Sequence, residues 1–315
     1  MKEKTGVVLL NMGGPEKPED VAPFLYNLFS DRKIIRLGPK FLQKPLAWYV
    51  ARKRAPISLK TYERIGGGSP LIRITGEQAQ ALQNELEASG DFWVVTAMRY
   101  WPPTAAEALD ELAKQGISRV VALPLYPHYS CATSGSSLAD LRRAAAKAKN
   151  EFQITEIHGW PDNPLYIKCF AENILKGLAA LPPEETEVVY SAHSLPVSFI
   201  EEGDPYCEHL NITIEKIEEI TGIKGRLCYQ SRSGPVEWLS PSTPEMLEIL
   251  AAEGCKNILL VPISFVSDHV ETLYEIDILY REMAREKGMN CLSCDSLNTQ
   301  PLFIRALKEL VLANM

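Results

Sequence analysis

Eight apolar runs of strand length alternate along the chain with stretches whose apolar residues recur at helical spacing, and this alternation limits the fold more than any other feature. Runs rich in Val, Ile and Leu at nearly every position suit strands buried on both faces, and parallel strands need crossover helices to join them. The pattern therefore predicts an α/β fold. The strands are read at Val7 to Asn11, Trp93 to Met98, Arg119 to Leu125, Ile154 to Ile157, Val188 to Ala192, Leu227 to Gln230, Ile258 to Ser264 and Asn290 to Cys294. The helices between them are read at Gly76 to Leu86, Ala105 to Lys114, Leu138 to Lys149 and Pro244 to Glu253.

A weak internal repeat, Gly116-Ile-Ser-Arg-Val-Val-Ala-Leu-Pro124 over Gly254-Cys-Lys-Asn-Ile-Leu-Leu-Val-Pro262, suggests two similar halves, each segment reading as helix cap, turn, buried strand and terminating proline. A length of 315 residues agrees, at about 150 residues per domain. The expected division is 1–158 and 159–299, split in the turn-rich Gly159 to Pro164, with a last helix from Pro301 to Leu312 packing back on the first domain.

Forty acidic against 33 basic residues leave a net charge of −7, which disfavours nucleic acid as a partner. The N-terminus lacks the apolar core of a signal peptide, and no apolar run approaches the ~20 residues that span a bilayer. A cytoplasmic protein with at most peripheral membrane contact is expected. Seven scattered cysteines read as free thiols in a reducing compartment.

Ligands of open α/β sheets bind beyond the carboxyl ends of the strands, which directs attention to Tyr126 to Ser136, His193 to Tyr206, Ser231 to Trp238 and Phe265 to Glu271. His193 follows a strand and is held by a proline turn, where it suits a proton acceptor; a satisfied core histidine fits the position equally well. Asp268, Glu271, Glu275 and Glu282 share one face at α-helical spacing, either as a solvated acidic face or as an inlet for a divalent cation beside His269. Met12, Trp238 and Phe265 fall at strand ends and would line a cleft for a flat ligand, or pack as core. Gly66-Gly-Gly-Ser-Pro70 lacks phosphate-loop spacing, and no nucleophile elbow occurs. Phe41 to Arg54 combines aromatics with a basic end, which fits a surface helix or an apolar lip over cations.

Taken jointly, Leu10-Asn-Met-Gly-Gly-Pro15, Arg64-Ile-Gly-Gly-Gly-Ser-Pro70, Tyr126-Pro-His-Tyr-Ser130, Ser191-Ala-His-Ser-Leu-Pro196, Gly203-Asp-Pro-Tyr206, Gln230-Ser-Arg-Ser-Gly-Pro235 and Ser267-Asp-His-Val-Glu-Thr272 resemble the ferrochelatases. The resemblance spans nearly the whole chain. It implies two similar Rossmann-like domains of the chelatase type, each a parallel sheet flanked by helices, with an active-site cleft between them. It further implies insertion of Fe(II) into protoporphyrin IX to form protohaem, with release of two protons. Coproporphyrin, another tetrapyrrole metal insertion, and a non-catalytic porphyrin carrier are the alternatives.

By the same resemblance His193 and Glu271 are the catalytic and iron-site residues, facing the macrocycle from opposite sides. Asp268, His269, Glu275 and Tyr206 support a metal or proton route. Met12, Phe265, Trp238 and Tyr126 line the porphyrin pocket, and Arg54, Tyr62, Ser69, Arg99 and Tyr100 form its propionate side. Phe41 to Val50 is the apolar lip through which membrane contact would occur. Iron is substrate here and no cofactor is required. Some relatives carry a [2Fe–2S] cluster, but Cys131, Cys255, Cys291 and Cys294 do not reproduce a recognised ligand spacing, so no cluster is expected.

Overall fold

A computed structural model describes residues 4–182 and 185–315. Two compact units emerge, one of residues 1–160 with 299–315 and the other of residues 161–298. Each contains one four-stranded, wholly parallel sheet.

In the first unit β1 (Thr5–Asn11), β2 (Phe92–Met98), β3 (Arg119–Pro124) and β4 (Gln153–Glu156) lie in the order β2-β1-β3-β4. All seven residues of β1 are buried, because helices cover both faces of a central parallel strand. Helix Ala105–Lys114 opens with a Thr104/Glu107 capping box and buries Leu109 and Leu112 against Val8, Leu10 and Val120. The terminal helix Pro301–Ala313 packs on helix Leu71–Leu86 of the same unit.

In the second unit β5 (Thr186–His193), β6 (Gly225–Gln230), β7 (Asn257–Val261) and β8 (Asn290–Ser293) take the order β6-β5-β7-β8, the same relative order as in the first. All eight strands fall within a few residues of their expected positions. The repeat is structural as well: Gly116 and Gly254 both adopt left-handed backbone, φ +71° and +82°, and each leads into the third strand of its sheet. This order places a switch point beyond the carboxyl ends of the first and third strands, at β1/β3 and at β5/β7.

One element departs from expectation. Glu271–Tyr280 is a π-helix rather than the first turns of an α-helix, and α-helical geometry resumes only at Arg281–Glu286. The wider turn ends the four-carboxylate stripe read from α spacing, and Glu282 lies beyond it, exposed. Among the described residues no helix is long and apolar enough to cross a membrane.

Candidate functional site

The switch point of the second unit gathers the chemistry. β5 ends on His193, which pairs in register with Gln230 at the end of β6. The backbone leaving β7 supplies Ser264, Phe265 and His269 before the π-helix opens on Glu271. His193 is fixed at three points: its N–H donates to Ser264 Oγ (2.9 Å), its carbonyl accepts from the Tyr206 hydroxyl (2.9 Å), and its Nδ1 lies 2.8 Å from Glu271 Oε2. A carboxylate only accepts, so Nδ1 carries a proton, and in the neutral ring the lone pair lies on Nε2.

Burial opposes both charges of this pair, but their contact overrides it, raising the His193 imidazole above its ordinary pKa and lowering the Glu271 carboxyl. The resemblance set these two residues on opposite faces of a macrocycle; here they are hydrogen-bonded directly to each other at 2.8 Å.

His269 is buried, and its Nδ1–H donates to the Ser267 carbonyl (3.0 Å), leaving Nε2 3.9 Å from Glu271 Oε2. Burial lowers its pKa despite the nearby acid. Phe265 packs against it with the rings tilted by 58° at 4.5 Å between centroids, and meets His193 edge-on at 6.4 Å. Glu275 is held through Oε2 by Gln230 Nε2 (3.0 Å), Ser231 Oγ (2.6 Å) and the Tyr280 hydroxyl (3.4 Å). Burial and the Glu271 charge push its carboxyl up to about 7. Gln230 also donates to the Glu271 carbonyl (3.1 Å), while its own Oε1 accepts from Ser191 (2.7 Å).

Two supporting positions have structural duties. Asp268 exchanges two hydrogen bonds with Asn298, backbone N–H to Oδ1 (2.9 Å) and Nδ2 to Oδ2 (2.8 Å), so it fastens the loop ahead of the π-helix. Tyr206 spends its hydroxyl on the His193 carbonyl. The Trp238 segment runs alongside the turn after His193, with Val197 N–H to Glu237 O at 2.9 Å and Leu239 N–H to Leu195 O at 3.0 Å.

The first unit places the remaining positions as follows. Met12 follows β1 and its carbonyl accepts from the Tyr100 N–H (3.0 Å). Arg99 and Tyr100 converge on an acid that the sequence reading did not single out: Arg99 Nη2 (2.7 Å), the Tyr100 hydroxyl (2.9 Å) and the Ser136 hydroxyl all meet Asp31 Oδ2. The Arg99 charge is thus committed inside its own unit. Ser69 is buried, its N–H on the Pro15 carbonyl (2.7 Å), so the two glycine-rich motifs meet there; Tyr62 is buried, Tyr126 half-buried and Arg54 exposed. Helix Gln43–Glu63 buries only Gln43, Ala47, Ala51 and Tyr62, and leaves Trp48 54%, Tyr49 55% and Ile57 65% exposed, with Phe41 at 79% just before it.

Among the described residues no three His, Cys, Asp or Glu side chains group closely enough to hold a metal ion by themselves. Burial pushes the Cys291 and Cys294 thiols up to about 12. Asp31, Ser136, Gln230, Ser231 and Ser264 were missed as site residues. Ser231, a serine directly after a strand in a turn-rich segment, carried the clearest signal.

A family model described as Ferrochelatase matches residues 4–315. The ferrochelatase of Desulfotalea psychrophila is 63% identical over 98% of this chain and 96% of its own length, and that of Geotalea uraniireducens is 52% identical over 99% and 98%. Among solved structures, SirB from Bacillus subtilis with Fe3+ covers 99% of this chain and 95% of its own at a TM-score of 0.60, with 12% identity, a likeness of fold alone.

Proposed function

The chain belongs to the ferrochelatase family, and from that premise we propose that its porphyrin is protoporphyrin IX and that the His193–Glu271 pair takes up the pyrrole protons. The enzyme is a lyase that inserts Fe(II) into a porphyrin in haem synthesis. The observation that carries the proton role is the 2.8 Å contact, at the carboxyl edge of the second sheet, between a half-buried acid and an imidazole locked at its backbone.

A free-base porphyrin holds two central N–H protons that must leave before iron is bound by all four nitrogens. His193 Nε2 presents the lone pair that accepts a proton, and the Glu271 carboxylate stabilises the imidazolium that results. Glu271 and Glu275 then supply oxygens for iron in transit or for the departing protons. A sparse set of one imidazole and carboxylates suits a metal that has to be given up to the ring. Phe265, wedged between the two imidazoles, and Trp238 supply apolar surface for the macrocycle.

Glu271→Gln tests the pair. The amide keeps the shape and removes the charge facing His193, so kcat is expected to fall about a hundredfold, with a changed dependence on Fe(II). Unaltered kcat and iron dependence in anaerobic assays of the porphyrin spectrum would rule Glu271 out of both roles.

The exposed side chains Phe41, Trp48, Tyr49 and Ile57, with Arg52 over Trp48 (5.2 Å) and Lys53 over Tyr49 (5.8 Å), support an apolar surface backed by cations. Such a surface suits a porphyrin with vinyl groups and two propionates better than one with four propionates, and it suits a lipid interface. Trp48→Glu is expected to weaken association with anionic vesicles about tenfold, since it exchanges a half-exposed aromatic for a charge. Equal vesicle binding by sedimentation would remove the membrane role. A kcat/KM for coproporphyrin equal to or above that for protoporphyrin would overturn the substrate.

A further inference from the structure

Ser231 is one of two non-glycine residues among those described with a left-handed backbone, φ +66°, a conformation that costs a side-chain-bearing residue and is ordinarily filled by glycine. It directly follows β6, whose last residue, Gln230, is paired with His193. The turn it makes aims its hydroxyl at Glu275 Oε2, 2.6 Å away and 44 residues along the chain.

The same oxygen receives Gln230 Nε2 and the Tyr280 hydroxyl. Gln230 cannot pivot freely, because its Oε1 accepts from Ser191, whose hydroxyl lies 2.9 Å from that of Thr243. Glu275 is therefore gripped through one oxygen, and Oε1 has no hydrogen bond among the described residues. We propose that Ser231 is a positioning residue for iron insertion: its strained backbone is kept because only there does its hydroxyl tie down Glu275 Oε2 and leave Oε1 open to Fe(II) in transit. This rests on reading Glu275 as part of the iron route. The Ser231 hydroxyl also favours the ionised form of Glu271, so it acts through the two carboxylates and needs no contact of its own with iron or porphyrin.

The proposal separates stability from activity. Ser231→Gly relieves the backbone and removes the hydroxyl; Ser231→Ala keeps the strain and removes the hydroxyl. The glycine variant is expected to melt within a few degrees of wild type and above the alanine variant. Both are expected to lose about tenfold in kcat/KM for Fe(II), measured anaerobically with protoporphyrin saturating, while KM for the porphyrin stays within about twofold. Activities that follow the melting temperatures, or a glycine variant with wild-type iron kinetics, would overturn it. Glu275→Gln tells the two failures apart. If that variant is impaired toward Fe(II) while Ser231→Gly is not, positioning by Ser231 fails alone; if its iron dependence is that of wild type, the reading of Glu275 fails and the proposal with it.

Discussion

Replacing His193 with alanine is expected to lower kcat for iron insertion by about 10³ or more while the protein still binds porphyrin. The size follows from two losses that coincide. General-base catalysis by a positioned imidazole contributes about 10²–10⁴, and His193 is positioned at its backbone by Ser264 and Tyr206 and at its ring by Glu271. Alanine also strands the Glu271 carboxylate, which burial penalises and the imidazole now compensates. Its pKa then rises from its depressed value, because the cation that favoured its ionised form is gone. Porphyrin affinity, which depends on ring faces and propionates, should change little. Quenching of porphyrin fluorescence reports binding, and the anaerobic spectral change reports insertion. A kcat within tenfold of wild type, at saturating iron and porphyrin, would eliminate His193 as the proton acceptor.

That His193 and Glu271 could be singled out in the sequence, while their direct contact could not, has a physical reason. A histidine at the end of an apolar run is placed by β-sheet burial, and each strand of the second sheet is defined by its own residues. The distance from His193 to Glu271 depends instead on how the backbone leaves β7 and how the following helix winds. The sequence from Asp268 to Glu282 has acids at α-helical spacing, yet the segment from Glu271 to Tyr280 winds as a π-helix. Its first carbonyl is held by Gln230, 41 residues away, and the Glu275 side chain by Gln230 and Ser231. Tertiary hydrogen bonds of that range accompany a register that local propensity does not specify.

The same limit hid Asp31. In Ser30-Asp-Arg-Lys33 it reads as one member of a solvated charge run, but the fold turns it inward from the end of helix Val21–Ser30. The resemblance puts Arg99 and Tyr100 on the propionate side of the pocket, and the structure pairs Arg99 with the Asp31 carboxylate.

Asp31→Ala should therefore act first on stability, by about 3 kcal/mol. Asp31 and Arg99 side chains are only 9% and 16% exposed, and removing Asp31 leaves the guanidinium, among the described residues, with only the longer 3.8 Å ion-pair contact to Asp140; breaking a fully buried pair costs about 3–5 kcal/mol. For a unit of this size the melting temperature should drop by about 6–12 °C. The effect carries a pH signature. Burial alone would raise the Asp31 carboxyl, but hydrogen bonds from Ser136, the Lys33 N–H and Tyr100, with the Arg99 charge, hold it below its ordinary value. Its contribution is thus fully present above the unfolded pKa of about 3.9 and is lost as pH falls through the lower folded value. The stability gap between wild type and Asp31→Asn should hold from neutral pH to about 5 and narrow below about 4. A double-mutant cycle with Arg99→Ala isolates the pair: Asp31→Ala should cost markedly less when Arg99 is already gone. Equal cost in both backgrounds would mean that Asp31 does not compensate Arg99, and would return the guanidinium to the pool of cations free to meet a propionate.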